Sequence, residues 1–137
     1  MQKNQGGFTL VELMVTLAVT AILAVLALNV YTTYVTRTYY IQIVFASESY
    51  KLGVIECYQK LGTLTGCNGG TNGIPANITR GTGSVRTITV TNGRITIVPV
   101  AANGILASDR YVLTPRLLNS QVIWTPSGAA FTKGYTK

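Results

Sequence analysis

The longest hydrophobic stretch of the chain lies near the N-terminus, over residues 8–30 (FTLVELMVTLAVTAILAVLALNV), and Glu12 is the only charged residue in it. About 20 consecutive apolar residues are enough for a helix to cross the hydrocarbon core of a bilayer. The stretch therefore predicts a membrane-spanning helix.

Beyond this stretch, apolar side chains recur at intervals of three and four residues, as in a helix with one apolar face. They are Tyr31, Tyr34, Val35, Ile41, Val44, Phe45, Leu52 and Ile55. The pattern predicts an amphipathic continuation over residues 31–60, so that the whole helix has about 50 residues and a length of roughly 80 Å. From Leu61 the composition changes to Gly, Thr, Asn and Pro, which predicts a loop over residues 61–84.

Two alternating segments, residues 85–90 and 94–98, flank Asn92-Gly93, a strong signal for a two-residue hairpin turn. Such a turn determines the register of the hairpin. It pairs Thr91 with Arg94, Val90 with Ile95, Thr89 with Thr96, and Ile88 with Ile97. We therefore expect an apolar face of Ile88, Val90, Ile95 and Ile97, and a polar face of Thr87, Thr89, Thr96 and Arg94.

Two further strands are predicted at Arg110–Thr114 and Gln121–Trp124, each closed by a proline, Pro115 and Pro126. The four strands would form an antiparallel sheet over residues 85–125, followed by a tail over residues 126–137. The predicted fold class is α+β, with the long N-terminal helix packed on this sheet.

Composition argues against an enzyme, because the chain has no His and its four acidic residues are far apart in sequence. They are Glu12, Glu48, Glu56 and Asp109. Neither a metal site nor a pair of catalytic carboxylates is indicated, and the hydrolase motif G-x-S-x-G is absent. We expect no catalytic residues, no metal and no cofactor.

Positive charge is concentrated in the C-terminal half, although the whole chain carries a net charge of +7. From Leu61 onward the basic residues are Arg80, Arg86, Arg94, Arg110, Arg116, Lys133 and Lys137, and Asp109 is the only acidic one. These side chains are candidate contacts for a polyanion such as nucleic acid, anionic lipid or acidic polysaccharide. The alternative is that they only keep a threonine-rich surface soluble.

The segment GGFTLVEL, residues 6–13, resembles the cleavage motif of type IV prepilins. This resemblance implies a leader of residues 1–7, which a prepilin peptidase cuts after Gly7, and methylation of the new amino terminus on Phe8. A glycine before the cut lets the chain approach a protease cleft closely. The alternative, a signal peptide cut near Ala24–Ala27, is less suitable because no helix breaker follows the apolar stretch.

The resemblance also implies how such a subunit assembles. The precursor would lie in the bacterial inner membrane, and the pilus assembly machinery would then add it to a helical homopolymer at the cell surface. Glu12 is costly in an apolar environment, so it needs a partner. In the family, the matching glutamate neutralises the amine of a neighbouring subunit, which makes Phe8 and Glu12 the expected assembly residues.

Cys57 and Cys67 are the only cysteines, and the N-terminal motif directs the chain out of the cytoplasm. A disulfide between them is therefore expected. A C-x-x-C redox motif is absent.

Two features distinguish this chain from many relatives of the type IVa class. There is no proline before Pro75, with Asn29 in the stretch where a helix proline is common, and both cysteines precede the sheet. The segment 57–75 and the ending VIWTPSG are similar to short pilins associated with natural competence. Adhesion to host or abiotic surfaces, twitching motility and DNA uptake are all open as filament functions. A DNA-binding minor pilin and a type II secretion pseudopilin are the alternatives.

Overall fold

The structure is a computed structural model that describes residues 6–135. Its elements are α1 (Leu10–Ala46), α2 (Glu48–Leu61), β1 (Val85–Thr91), β2 (Arg94–Pro99), β3 (Tyr111–Leu118), β4 (Gln121–Ser127) and α3 (Ala129–Thr132). The chain divides into an N-terminal unit, which ends at Tyr34, and a head unit, which begins at Val35. Most of the expected leader and Lys137 lie outside the described residues.

A long N-terminal helix is present, as predicted, but it is interrupted once in the head unit. Ser47 separates α1 from α2, and its hydroxyl donates to the carbonyl of Val44 at 2.6 Å. A serine side chain that bonds to the backbone competes with the regular helical pattern at that point. The helical run nevertheless continues to Leu61, as predicted, because the carbonyl of Ser47 accepts the N–H of Lys51 at 2.9 Å. The helix ends at Leu61, where Gly62 adopts a left-handed conformation and donates its N–H to the carbonyl of Tyr58.

The helix face that packs on the sheet overlaps only partly with the one that the hydrophobic spacing selected, since Val44 packs against the core. The buried apolar residues are Tyr40, Ile43, Tyr50, Val54 and Cys57, which also follow three- and four-residue intervals. Ile41, Phe45 and Leu52, from the predicted apolar face, are between 64% and 77% exposed. The helix has two apolar faces in the head unit, and helical period alone cannot tell which one packs against the sheet.

The four strands form one antiparallel sheet in the order β1-β2-β3-β4, which confirms the predicted fold class. The predicted register of the first hairpin is also confirmed, since Thr91 pairs with Arg94 and Val90 pairs with Ile95. Asn92 and Gly93 form the turn with φ values of 48° and 78°. Positive φ at both positions is the requirement of the type I′ turn, and Asn-Gly meets it best.

The last two strands are longer than predicted, because neither proline ends its strand. Pro115 pairs with Trp124, and Pro126 pairs with Leu113. β2 pairs with β3 only as far as Leu113, so Pro115 lies beyond the end of β2. β4 is an edge strand. Proline lacks only a backbone N–H, and this loss is tolerated where no neighbouring strand requires the bond.

The core of the head unit lies between the helix and the apolar face of the sheet. The sheet contributes Ile88, Val90, Ile95, Ile97 and Leu113, all of which are almost completely buried. Burying a side chain of this size contributes about 1.5–3 kcal/mol. Thr89 and Arg94 on the opposite face are exposed, as the alternation predicted. The sheet thus presents one polar, threonine-rich face to its surroundings.

Candidate functional site

The segment before α1 is open to a protease. Gly6, Gly7, Phe8 and Thr9 are exposed and have no regular secondary structure. The Phe8 side chain is 82% exposed, and a Cβ added at Gly7 would meet no atom within 4 Å. Exposed chain without hydrogen-bonded structure is what a peptidase needs to bind. The geometry is compatible with cleavage between Gly7 and Phe8.

Thr9 and Glu12 form a reciprocal hydrogen-bonded cap at the start of α1. The backbone N–H of Glu12 donates to the Thr9 hydroxyl at 3.2 Å. In return, the Thr9 hydroxyl and the Thr9 N–H donate to Oε2 of Glu12 at 3.2 Å and 3.4 Å. This arrangement is a capping box, which satisfies backbone donors that have no partner within the helix. The spacing T-x-x-E already signals it, although from the sequence we expected Glu12 to act only as an assembly residue.

The N-terminal unit exposes apolar side chains along its whole helix. Every residue from Gly6 to Tyr34 is exposed. Among the described residues, one helical run, Leu10–Leu61, is long and apolar enough to cross a membrane by length and composition. Exposure of such an apolar surface to water is unfavourable, so lipid or protein has to cover it. α1 remains helical at Asn29, whose carbonyl accepts hydrogen bonds from the hydroxyls of Thr32 and Thr33 at 3.0 Å.

The predicted disulfide is present between Cys57 on α2 and Cys67 in the following loop, and both residues are buried. The same loop is also bound to the turn of the first hairpin. Asn92 donates its N–H to the side chain of Asn68 at 2.9 Å, and its own side chain accepts the N–H of Gly66 at 3.1 Å. One covalent bond and several hydrogen bonds therefore connect the helix, the loop and the hairpin turn.

The candidate basic residues do not form one cluster. Arg94 and Arg116 lie on the polar face of the sheet towards the same end, as the strand register shows. Arg80 lies in the loop before β1, Arg86 lies at an irregularity of β1, and Arg110 lies just before β3. All five arginines are exposed. A polyanion would meet separate basic positions rather than one groove.

Lys133 has a local role that the sequence did not predict. Its ammonium group lies 2.7 Å from Oδ1 of Asp109, whose side chain is 1% exposed. The other carboxylate oxygen accepts the N–H of Leu106 at 3.0 Å. The hydrogen bond to Asp109 raises the pKa of Lys133, which keeps the lysine charged. Lys133 therefore holds the C-terminal segment to the head and neutralises a buried carboxylate, so it is a poor candidate for a polyanion contact.

Three tyrosines come together beside this ion pair. The ring of Tyr40 lies 5.4 Å from that of Tyr135 and 6.3 Å, edge to face, from that of Tyr111. The Tyr40 hydroxyl donates to the carbonyl of Asp109 at 2.9 Å. Burial raises the pKa of Tyr40, and it also raises that of Tyr111 with a smaller contribution from Glu48. This cluster joins α1, β3 and the C-terminal segment.

The part of the chain that the structure describes has no metal-binding arrangement. There, no three side chains of His, Cys, Asp or Glu lie together as a metal site would require. Glu48 and Glu56 are engaged with Lys51 and Lys60 on α2, in each case at 2.7 Å.

Comparison with known proteins places the chain among filament subunits. The family described as "Prokaryotic N-terminal methylation motif" matches residues 2–28. Prepilin peptidase-dependent protein D of Escherichia coli K12 is 32% identical over 124 residues, which cover 89% of this chain and 82% of that protein. Type IV pilus subunit protein TapA of Aeromonas hydrophila is 38% identical over 73 residues, or 53% of this chain and about half (51%) of TapA. Type IV major pilin protein PilE1 of Neisseria gonorrhoeae is 35% identical over 96 residues, 44% of its length.

Proposed function

The chain belongs to the type IV pilin family, and on this basis we propose that it is a structural subunit of a type IV pilus. A prepilin peptidase cuts after Gly7, and the new amine on Phe8 is methylated. The subunit resides in the inner membrane before it is added to a filament at the cell surface. The observation that carries this proposal is the exposed apolar helix, as far as Tyr34, that directly follows the cleavage motif.

Assembly has a clear driving force in this chain. Each large apolar side chain that leaves water contributes about 1.5–3 kcal/mol, and the N-terminal unit exposes a long series of them. Lipid covers this surface before assembly, and the helices of neighbouring copies cover it in the filament. Two environments of similar polarity let the helix move from one to the other without a large change in solvation free energy.

Glu12 gains a second partner when the subunit moves from the membrane to the filament. In the isolated subunit its carboxylate accepts two hydrogen bonds from Thr9. In the filament it also faces the positively charged amine on Phe8 of a neighbouring copy. A charged pair at one position of an otherwise uniform apolar helix defines the register between subunits. Apolar packing alone does not define that register.

The test is to express the chain with a pilus assembly system, shear the cells, and examine the sheared fraction by electron microscopy and intact mass. We expect filaments of a subunit that has lost residues 1–7 and gained one methyl group, with Cys57 and Cys67 oxidised. Processed protein that stays in the membrane without forming filaments would favour a pseudopilin. A cut after the apolar stretch, or no cut, would contradict the proposal.

A second function, polyanion binding by the filament, is favoured by the polar face of the sheet. Arg94 lies on this face together with several threonines, and the four described strands contain no carboxylate. Contacts of this kind are made to phosphates and do not depend on base sequence. DNA uptake is a filament function that would use such contacts.

Arg94→Gln filaments should therefore bind double-stranded DNA more weakly at every sequence tested. The slope of log affinity against log salt should become smaller by about 0.9 for the phosphate contact that is lost. Lys60→Gln is the matched control, since it removes the same charge from a lysine already paired with Glu56. Equal binding by both variants, or wild-type binding that does not change with salt, would count against this function.

A further inference from the structure

The head helix has an apolar face that its own sheet does not cover. Ile41, Phe45 and Leu52 follow one another at helical spacing and are between 64% and 77% exposed. Glu48 lies on the same face, three residues after Phe45 and four before Leu52. Its carboxylate bonds to Lys51 through Oε1 at 2.7 Å. We call these four residues the free helix face. Its centre is apolar, and it includes one carboxylate.

A second uncovered apolar surface lies at the tip of the β3–β4 hairpin. Beyond Leu113, β3 pairs with β4 and no longer with β2. The turn is Asn119-Ser120, with positive φ at both residues. The exposed apolar side chains next to it are Leu117, Leu118 and Ile123, which are between 43% and 58% exposed. A two-stranded hairpin is weak by itself, and apolar side chains on it favour a protein partner. Leu117 lies on the opposite face of the strand from its two neighbours, and we call Arg116, Leu118 and Ile123 the hairpin tip.

The two surfaces are complementary in charge as well as in polarity. Arg116 pairs with Ile123 across the hairpin, and Leu118 is two residues further along the strand, so the three side chains share one face. Arg116 has no ion pair within residues 6–135. The free helix face therefore offers a carboxylate among apolar groups, and the hairpin tip offers a guanidinium among apolar groups. Oε1 of Glu48 already accepts a hydrogen bond from Lys51, so Oε2 is the oxygen that a charge-assisted hydrogen bond from Arg116 would use.

Both surfaces belong to the head unit, and the hairpin tip lies beside the last turns of α2. A cleft of about 290 Å³ separates the hairpin tip from the last turns of α2, and it is lined by Ile55, Tyr58, Gln59, Ser120, Gln121 and Val122. Tyr58 is roughly 20 Å along the helix from Phe45, at about 1.5 Å per residue. Ile41, Phe45 and Leu52 are exposed, so the hairpin tip of one copy does not cover its own free helix face, and this face is open to a second copy.

We propose that in the filament the hairpin tip of each subunit packs on the free helix face of another copy, with Arg116 paired to Glu48. This inference rests on the proposed pilus function and names the partner surfaces of the head. The contact joins two different surfaces of the same chain. Such a contact repeats from copy to copy and forms a ring or a helical filament, whereas a contact between two identical surfaces ends at a dimer.

Cysteine cross-linking in filaments tests the contact directly. In the double variant Phe45→Cys, Leu118→Cys, oxidation of sheared filaments should produce a ladder of disulfide-linked dimers and larger multimers. Each single variant should remain monomeric on the same non-reducing gel, because each surface meets the other and not itself. Phe45→Cys combined with Thr89→Cys, an exposed residue on β1, is the matched control and should produce no ladder. Normal filaments without a ladder in the Phe45–Leu118 variant would overturn the contact.

A charge exchange provides an independent test that does not depend on oxidation. Arg116→Glu should reduce the yield of sheared filaments about tenfold, since it places two carboxylates opposite each other. Glu48→Arg should have a similar effect, and the double exchange should restore most of the yield. Intact mass shows that each variant has lost its leader, and the native disulfide shows that its head unit is folded. Additive losses in the double variant would contradict the pairing.

These tests also distinguish a failure of the proposed contact from a failure of the proposed pilus function. If the wild-type chain is processed and forms filaments while the cross-link and the charge rescue both fail, the contact is wrong and the pilus function stands. If the wild-type chain forms no filaments although the assembly system is active, the proposed function and the contact are both wrong.

Discussion

The Glu12→Gln variant is expected to lose at least a hundredfold in filament yield while its leader is still removed. Glutamine keeps the hydrogen-bond acceptor that Thr9 uses, so the cap at the start of α1 is retained. It loses only the negative charge. Removing one partner of a buried ion pair leaves the other charge unpaired, which costs about 3–5 kcal/mol. In the filament, the unpaired charge would be the amine on Phe8 of the neighbouring copy.

The measurement compares sheared filaments by electron microscopy with the processed subunit in the membrane by intact mass. Thr9→Val is the matched control, because it removes the capping hydroxyl and leaves the carboxylate. Loss of a cap costs about 1 kcal/mol, and we expect this variant to assemble. If Glu12→Gln forms normal filaments and Thr9→Val does not, Glu12 acts as a cap and has no role in charge pairing.

Removal of the disulfide has the second large expected effect. In the double variant Cys57→Ala, Cys67→Ala, the free energy of unfolding of the head unit should fall by about 2–3 kcal/mol, because the loop gains conformational freedom in the unfolded chain. Alanine is chosen because both positions are buried, where a serine hydroxyl would need a hydrogen-bond partner. Urea unfolding of the detergent-solubilised subunit measures the change, and wild-type protein under reducing conditions should lose the same amount.

The variant Asn68→Ala measures how much the hydrogen bonds of this loop contribute to stability apart from the disulfide. Its side chain accepts the N–H of Asn92, so the variant should lose about 1 kcal/mol with the disulfide intact. A change below about 0.5 kcal/mol in the double alanine variant would mean that these hydrogen bonds alone hold the loop. The loop would then be attached mainly through the hairpin turn.

Local signals predicted those parts of the fold that depend on neighbouring residues. Asn92-Gly93 requires a turn with positive φ, and a two-residue turn at this point leaves only one register, in which Val90 pairs with Ile95. The motif over residues 6–13 likewise identified the family, since it lies in one short segment. The disulfide was predictable because the chain has only two cysteines.

Other features depended on contacts between distant residues, and sequence reasoning missed them. Pro126 was expected to end a strand, but a proline at an edge loses no bond, and only the strand order shows where the edge lies. Lys133 was one candidate for a polyanion contact, and its ion pair with Asp109, 24 residues earlier in the chain, was not predicted. That pairing requires Asp109 to be buried, and burial results from packing of the whole head.

The long helix shows most clearly which features the sequence determines and which the tertiary structure determines. The sequence by itself determined that residues 8–60 form helix over nearly their whole length, that the first part is apolar on all sides, and that the second part has apolar residues at helical spacing. The tertiary structure decided that Tyr40, Ile43 and Val54 pack on the sheet while Ile41, Phe45 and Leu52 remain exposed. The spacing is the same for both sets, so helical geometry cannot distinguish them. Only the shape and polarity of the opposing sheet select the face that is buried.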